Sequence, residues 1–202
     1  MPDTDRKKAH ESWLKFLNPE SLRCSLILAS LYLAAYEILR TSIIDQIKSF
    51  YTIGCPADAK TADPQYTTDV VSLDKSPLRA SALWLQRRGV LDASDLTKLD
   101  SIREHRNAIA HDLPKFVTTT EAHVDVSLFQ AICELVAKVD RWWIVEFEIP
   151  VNSDFDGKDI DSSGCQSGNM IFLHMLVQIA IGSPEDPEFY YRKFQKLSNH
   201  DA

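Results

Sequence analysis

Apolar positions recur along this chain mostly at helical spacing, and Pro and Gly mark where the helices stop. Residues 10–17 form a short amphipathic start. Asn18-Pro19-Glu20 then reads as an N-cap, a proline at the first helical position and an early acid. No Pro or Gly follows until Gly54, so one helix is predicted to run to about Tyr51 and to end at Gly54-Cys55-Pro56. Its first half, SLILASLYLAAYEIL, is apolar almost all round, which predicts burial on most sides. Glu37, Arg40 and Asp45 give the second half a polar face.

Residues 56–75 are rich in Asp, Thr and Pro and read as a long connection. Ser76-Pro77 caps the next helix, which ends at Gly89; Leu78, Ala82 and Leu85 form its apolar face, with Arg79, Arg87 and Arg88 solvated. Asp92 or Ser94 caps a further helix, predicted to reach about Leu113 and to be stopped by Pro114. After a polar stretch from Thr118 to Asp125, Phe129, Ile132, Val136, Val139 and Trp143 keep helical phase in a helix over about 127–147, ended by Pro150. Residues 151–168 read as a second polar loop, 169–181 as a short helix and 187–197 as a last one. Period-2 alternation and internal repeats are absent. The predicted fold class is all-α: a single-domain helical bundle built around one long N-terminal helix, with a core at about 20–147 and a C-terminal helical extension over 148–202.

Composition narrows the function classes. The 202 residues carry 22 Lys+Arg against 29 Asp+Glu, a net charge of -7, which excludes a generic basic nucleic-acid coat and a polybasic membrane binder but not a local basic site. Cys24, Cys55, Cys133 and Cys165 include no CxxC pair and match no zinc pattern; Cys24 and Cys133 read as small core residues. The start MPDTDRKKAHESW lacks a signal core, and the unbroken apolar run Cys24–Tyr36 spans only 13 residues. These features predict a reduced, cytoplasmic protein without membrane, metal or cofactor.

The segment Arg103 to Pro114, REHRNAIAHDLP, carries the candidate chemistry. Leu99, Ile102, Ile109 and Leu113 form an apolar stripe with Arg106 in its gap, a costly place for a guanidinium unless it meets an acid, a phosphate or a wet interface. Asn107 and His111 share a helix face, with Arg103 one turn earlier. Arg106 and His111 diverge by about 140° on an ideal helix. They meet only through the reach of Arg, local unwinding or a second copy of the chain. His111 falls in the last turn, where the helix dipole favours imidazolium by about 0.3–1 kcal/mol. A guanidinium that grips phosphate and an imidazole that moves protons near neutral pH are the parts of metal-free phosphodiester cleavage.

Arg106-Asn107-x3-His111, set in RNAIAHDL after a long helix bearing AYEILR, resembles the signature of HEPN (higher eukaryotes and prokaryotes nucleotide-binding) domains over residues about 20–147. The resemblance implies a helical homodimer with two Arg-His motifs in one cleft. It also implies a metal-independent endoribonuclease of the kind found in toxin–antitoxin and phage-defence systems. Arg106 would then bind and polarise the scissile phosphate of RNA. His111 would act as base or acid at the ribose 2′-hydroxyl or the leaving oxygen, and Asn107 would position His111 or the RNA. The implied product is a 2′,3′-cyclic phosphate. Glu37 would match a supporting acid of some relatives. Arg103 and His105 are candidates for an RNA-binding rim, and an antitoxin or other regulatory protein is an implied partner. In one subgroup a tyrosine two positions after the His is modified by a partner nucleotidyltransferase; here that position is Leu113, which puts such silencing in doubt.

Each residue also has a plainer reading. Arg106 reads as an internal salt-bridge partner, Glu37 as one end of an ion pair that includes Arg106 among its candidates, His111 as a helix C-terminal residue, and Arg103 and His105 as solvated. Trp84, Trp142 and Trp143 read as core or dimer interface sooner than base-stacking platforms. His123 and His174 read as structural, and the acidic run DFDGKDID lacks the full calcium-loop pattern. Three function classes follow: a dimeric HEPN ribonuclease, a non-catalytic module binding nucleotide, RNA or protein, and a helical scaffold with Arg106 paired internally.

Overall fold

A computed structural model of the chain describes residues 3–52, 64–158, 160, 164–181 and 192, and among these residues every regular element is helical. The fold class is all-α. Helix α1 (Asp3–Leu17) leads into α2 (Pro19–Thr52), whose first turn is capped by Asn18 Oδ1, accepting from the N–H groups of Glu20 and Ser21. At 34 residues, α2 is the axis of the bundle. It packs against α4 (Pro77–Arg87), α5 (Ala93–His111), α6 (Leu113–Thr118), α9 (Gly168–Ile181) and, most extensively, α7 (Val126–Trp143).

The buried line of α2 is Tyr32, Ala35, Leu39, Ile43 and Ile47, all 0% exposed. Its N-terminal half departs from the expectation of all-round burial: Leu26 and Ile27 are exposed, and so is Cys24, which the sequence suggested as a core residue. Among the described residues the fully buried positions of α2 begin at Ala29. Among the described residues α2 is also the one helix long and apolar enough to cross a membrane by length and composition. An 18-residue window reaches a mean hydropathy of 1.5 once isolated polar residues are admitted, longer than the unbroken run Cys24–Tyr36 suggested.

The connection predicted over 56–75 contains a short helix, α3 (Pro64–Asp69), and a 3-10 turn at Val71–Leu73; residues 53–63, with the predicted stop Gly54-Cys55-Pro56, lie outside the described residues. Helix α5 begins at a capping box in which Asp92 and Asp95 exchange backbone bonds. Lys138 of α7 fastens that box, 2.5 Å from Asp95 and 3.6 Å from Asp92. At its far end α5 stops at His111, two residues short of the expected Leu113. Asp112 serves as C-cap of α5 and N-cap of α6, and Pro114 opens α6 instead of ending helical structure, because a proline is tolerated in a first turn.

Lys15 of α1 pins α6 by donating to the carbonyls of Phe116, Thr119 and Ala122 at 2.8, 2.5 and 3.3 Å; burial lowers its pKa. Helix α7 continues beyond Trp143 through a π-helical segment, Ile144–Glu148, and one turn, α8 (Ile149–Val151), so Pro150 sits inside helical structure. Helix α9 docks through Asn169, whose amide donates to Ser42 at 3.1 Å and to the buried Asp140 at 3.0 Å. The helix expected over 187–197 falls, except for Arg192, outside the described residues. Trp84 and Trp143 stack in the core at 6.2 Å, and Arg88, exposed as expected, also lays its guanidinium 3.4 Å over the Trp84 ring.

Candidate functional site

Residues 103–111 occupy the last turns of α5, facing α2 on one side and the α6–α7 connection on the other. The stripe Leu99, Ile102 and Ile109 is buried, and Arg106 emerges from its gap to meet α2. One terminal nitrogen of Arg106 donates to Glu37 Oε1 at 3.0 Å, and the other makes a long 3.4 Å contact with Asn107 Oδ1. Its Cζ lies 5.2 Å from the centre of the Tyr36 ring, the neighbour of Glu37 on α2. Burial raises the Tyr36 hydroxyl pKa against the opposing fields of Arg106, Arg40 and Arg103. The Arg106 Nε is buried with no partner among the described residues, so the side chain is not fully satisfied where it stands.

The charges here alternate along two short chains. Arg40 approaches Glu37 at 3.8 Å on the side away from Arg106. One turn before Arg106, Arg103 lies 3.6 Å from Asp100, which also binds Arg79. Four guanidinium groups share two carboxylates across these six residues, leaving an excess of two positive charges on a chain whose net charge is -7. Glu104 and Asp112, exposed on the same segment, offset that excess.

The Arg106–Glu37 pair is not deeply buried, with side chains 32% and 49% exposed. Partly exposed pairs of this kind contribute about 0–1 kcal/mol. A phosphate oxygen can therefore take the place of Glu37 at small cost, and bidentate geometry favours the exchange.

His111 is exposed, and among the described residues no hydrogen bond or ion pair engages its imidazole. Helix α5 stays continuous up to it, which removes local unwinding as a route for Arg106 and His111 to meet. Asn107 is exposed and contacts Arg106, not His111, so the orienting role toward the imidazole is not the arrangement seen.

His105 departs furthest from its expected place. Its ring does not stand on an RNA-facing rim but packs edge-on against Tyr32 at 4.9 Å and Phe116 at 5.8 Å. Its Nε2 accepts the backbone N–H of Asp125, the N-cap residue of α7, at 3.0 Å. Burial lowers its pKa, opposed by the Asp125 carboxylate and reinforced by His123. The neutral ring is therefore a clamp between α5 and the start of α7.

Two members of the cluster escaped the sequence reading. Tyr36 was visible only as one apolar letter in AYEILR, and Arg40 only as part of a polar face. Neither letter announces that α2 meets α5 at Arg106. Leu113, where one subgroup would carry tyrosine, starts α6 half-buried against the core. Among the described residues no group of three or more His, Cys, Asp or Glu is placed to hold a metal ion.

Compared with known proteins, the chain matches no family model, no curated protein and no solved structure at a significant level. What the site can do rests on its own geometry.

Proposed function

We propose that this chain is a metal-independent endoribonuclease of HEPN type, working as a cytoplasmic homodimer. The single observation that carries the reading is the contrast at the end of α5. There an exposed imidazole engages nothing among the described residues, while a guanidinium on the same helix sits in an exchangeable ion pair.

Arg106 leaves Glu37 for the scissile phosphate and stabilises the charge that builds on its non-bridging oxygens. An imidazole removes the proton of the ribose 2′-hydroxyl, whose oxygen attacks phosphorus. The P–O5′ bond breaks, and a protonated imidazole supplies the proton to the leaving oxygen, giving a 2′,3′-cyclic phosphate. Because Arg106 and His111 diverge along one helix, a second copy supplies the complementary pair across a shared cleft, one His111 acting as base and its mate as acid. A toxin or phage-defence effector restrained by an antitoxin or other regulatory protein is the biological setting the resemblance implies.

The test is incubation of the purified chain with single-stranded RNA in EDTA. Cleavage with cyclic-phosphate ends, lost in both Arg106→Ala and His111→Ala, supports the reading. Equal cleavage by wild type and both variants removes it.

A second reading is a non-catalytic HEPN-like module that binds nucleotide, RNA or a protein. It is favoured by the Arg106–Glu37 pair, which already occupies the guanidinium and is also what a pure scaffold would contain. It predicts Arg106-dependent stabilisation by ligand without product.

A further inference from the structure

Helix α2 carries a second stripe, on the side away from its buried line. Arg23, Ser30 and Glu37 follow one another at seven-residue intervals, and all three are exposed. Leu26 and Ile27, 41% and 37% exposed, and the half-buried Leu33 and Ala34 flank Ser30 one turn to either side. At about 100° per residue, all of these positions fall within about 60° of the Ser30 direction. The face is therefore small at its centre, apolar around it, basic at one end and acidic at the other. Among the described residues no hydrogen bond or ion pair engages Arg23, whereas Glu37 serves Arg106 at 3.0 Å and Arg40 at 3.8 Å.

A face with opposite charges equidistant from its centre is complementary to itself when reversed. A two-fold axis at Ser30 lays α2 of a second copy antiparallel on this one and brings each position level with its counterpart on the other side of Ser30. Arg23 then meets Glu37 of the second copy, and Glu37 meets Arg23 of the second copy. Between these ends Leu26 meets Leu33 and Ile27 meets Ala34. Beyond them Glu20 comes level with Arg40 of the second copy, again with opposite sign. Parallel pairing sets Arg23 against Arg23 and Glu37 against Glu37. The small Ser30 permits an axis separation near the short end of about 8–10 Å, and a seven-residue repeat keeps a seam in contact at a crossing angle of about 20°. A lipid surface offers no counterpart to charges separated in this way.

We propose that two copies of this chain pair antiparallel along α2 about Ser30, and that Arg23 of each enters the other's site to take Glu37 from Arg106. The Glu37 carboxylate then answers a guanidinium from the second copy, and Arg106 is free for a phosphate in the pair but engaged in the single chain. That release rests on the ribonuclease reading; the pairing itself does not.

The experiment follows the oligomeric state of the full chain by sedimentation velocity, without RNA. Wild type is expected to dimerise reversibly. Arg23→Glu and Glu37→Lys each set like charges face to face and are expected to weaken the dimer on the order of tenfold or more, while Arg23→Glu/Glu37→Lys, which reverses the pair, regains most of it. Ser30→Cys changes an exposed position and keeps the test open should Glu37→Lys prove unstable beside Arg106. On mild oxidation Ser30→Cys is expected to give a covalent dimer, because the two sulfurs meet at the two-fold axis. The native Cys24, exposed and about 18 Å from its mate in this pairing, is expected to give none. A wild-type chain that stays monomeric at about 100 μM, a Ser30→Cys chain that cross-links no more than wild type, or a reversed pair no better than its single variants overturns the proposal. Cleavage of RNA by a chain that fails these tests keeps the ribonuclease reading and removes this one, and pairing without cleavage does the reverse.

Discussion

The Arg106 guanidinium lies 3.0 Å from the Glu37 carboxylate, and both side chains keep substantial contact with water. Such a pair holds the guanidinium in place without committing it. Neutralising the acid therefore frees Arg106 for a polyanion. Glu37→Gln is expected to bind a single-stranded oligoribonucleotide several-fold more tightly, with a steeper salt dependence. Its stability should change by less than about 1 kcal/mol. Fluorescence anisotropy across a salt series reads this; weaker or unaltered binding would show that Glu37 is not a competitor of RNA phosphate.

His111 contributes little to the fold because its ring is exposed and engages nothing among the described residues. His111→Ala should unfold in urea within about 0.5 kcal/mol of wild type. Under the proposed function, its RNA cleavage should fall by about 10²–10⁴, the range of a lost acid–base group. A large stability loss would mean the ring is spent on packing.

His105 gives the fold a pH dependence whose sign is set. Burial holds its pKa below the ordinary value of 6.5, so the folded chain binds a proton at this ring less readily than the unfolded chain does. The associated stability is fully present above that ordinary pKa and is lost as pH falls through the lowered one. Protonation also removes the lone pair that accepts the Asp125 N–H. The charged and titratable groups around the ring are Asp125 and His123 from the α6–α7 connection and Tyr32 from α2. Denaturant titrations at pH 7.5 and 5 should show a loss in wild type that is smaller in His105→Phe. Parallel losses in both proteins would assign the effect elsewhere.

Asn169 joins α9 to the bundle through Ser42 and Asp140, both essentially buried. Asn169→Ala leaves the Asp140 carboxylate without the one donor it has among the described residues, where Asp140 Oδ1 already has none. A cost of about 1–3 kcal/mol is expected, with α9 amides exchanging faster than those of α7. Uniform exchange rates would argue against a local role.

The proposed homodimer requires exposed apolar surface. Leu26 and Ile27 are 41% and 37% exposed on α2, and Ile27 leads by helical steps through the small residues Ser30 and Ala34 to Glu37. Ile27→Asp should shift sedimentation toward monomer and lower RNA cleavage with it. A dimer that persists with full cleavage would place the interface on another face.

Most helices, and the placement of RNAIAH at the end of one, could be read from local patterns. Pro and Gly positions and 3.6-residue periodicity act within a few turns, and the capping acids Asp92 and Asp125 act within three residues. The same patterns place the ends of α5 and of the α7–α8 stretch within three residues of Pro114 and Pro150 but miss that helix resumes at once in α6, because a proline that stops one helix and a proline in the first turn of the next look alike in one dimension.

Partner choice belongs to tertiary packing. Glu37 reaches Arg106 across 69 positions, and His105 turns inward to hold Asp125 while its neighbour Arg106 turns toward α2. No local pattern encodes which of two adjacent residues on a helix will face α2 and which the start of α7. Nor does it show that, among the described residues, full burial of α2 begins only at Ala29. Periodicity specifies the phase of an apolar stripe, whereas the angles and offsets at which helices cross decide what each stripe meets. Those offsets arise from the side chains of the whole bundle packing together.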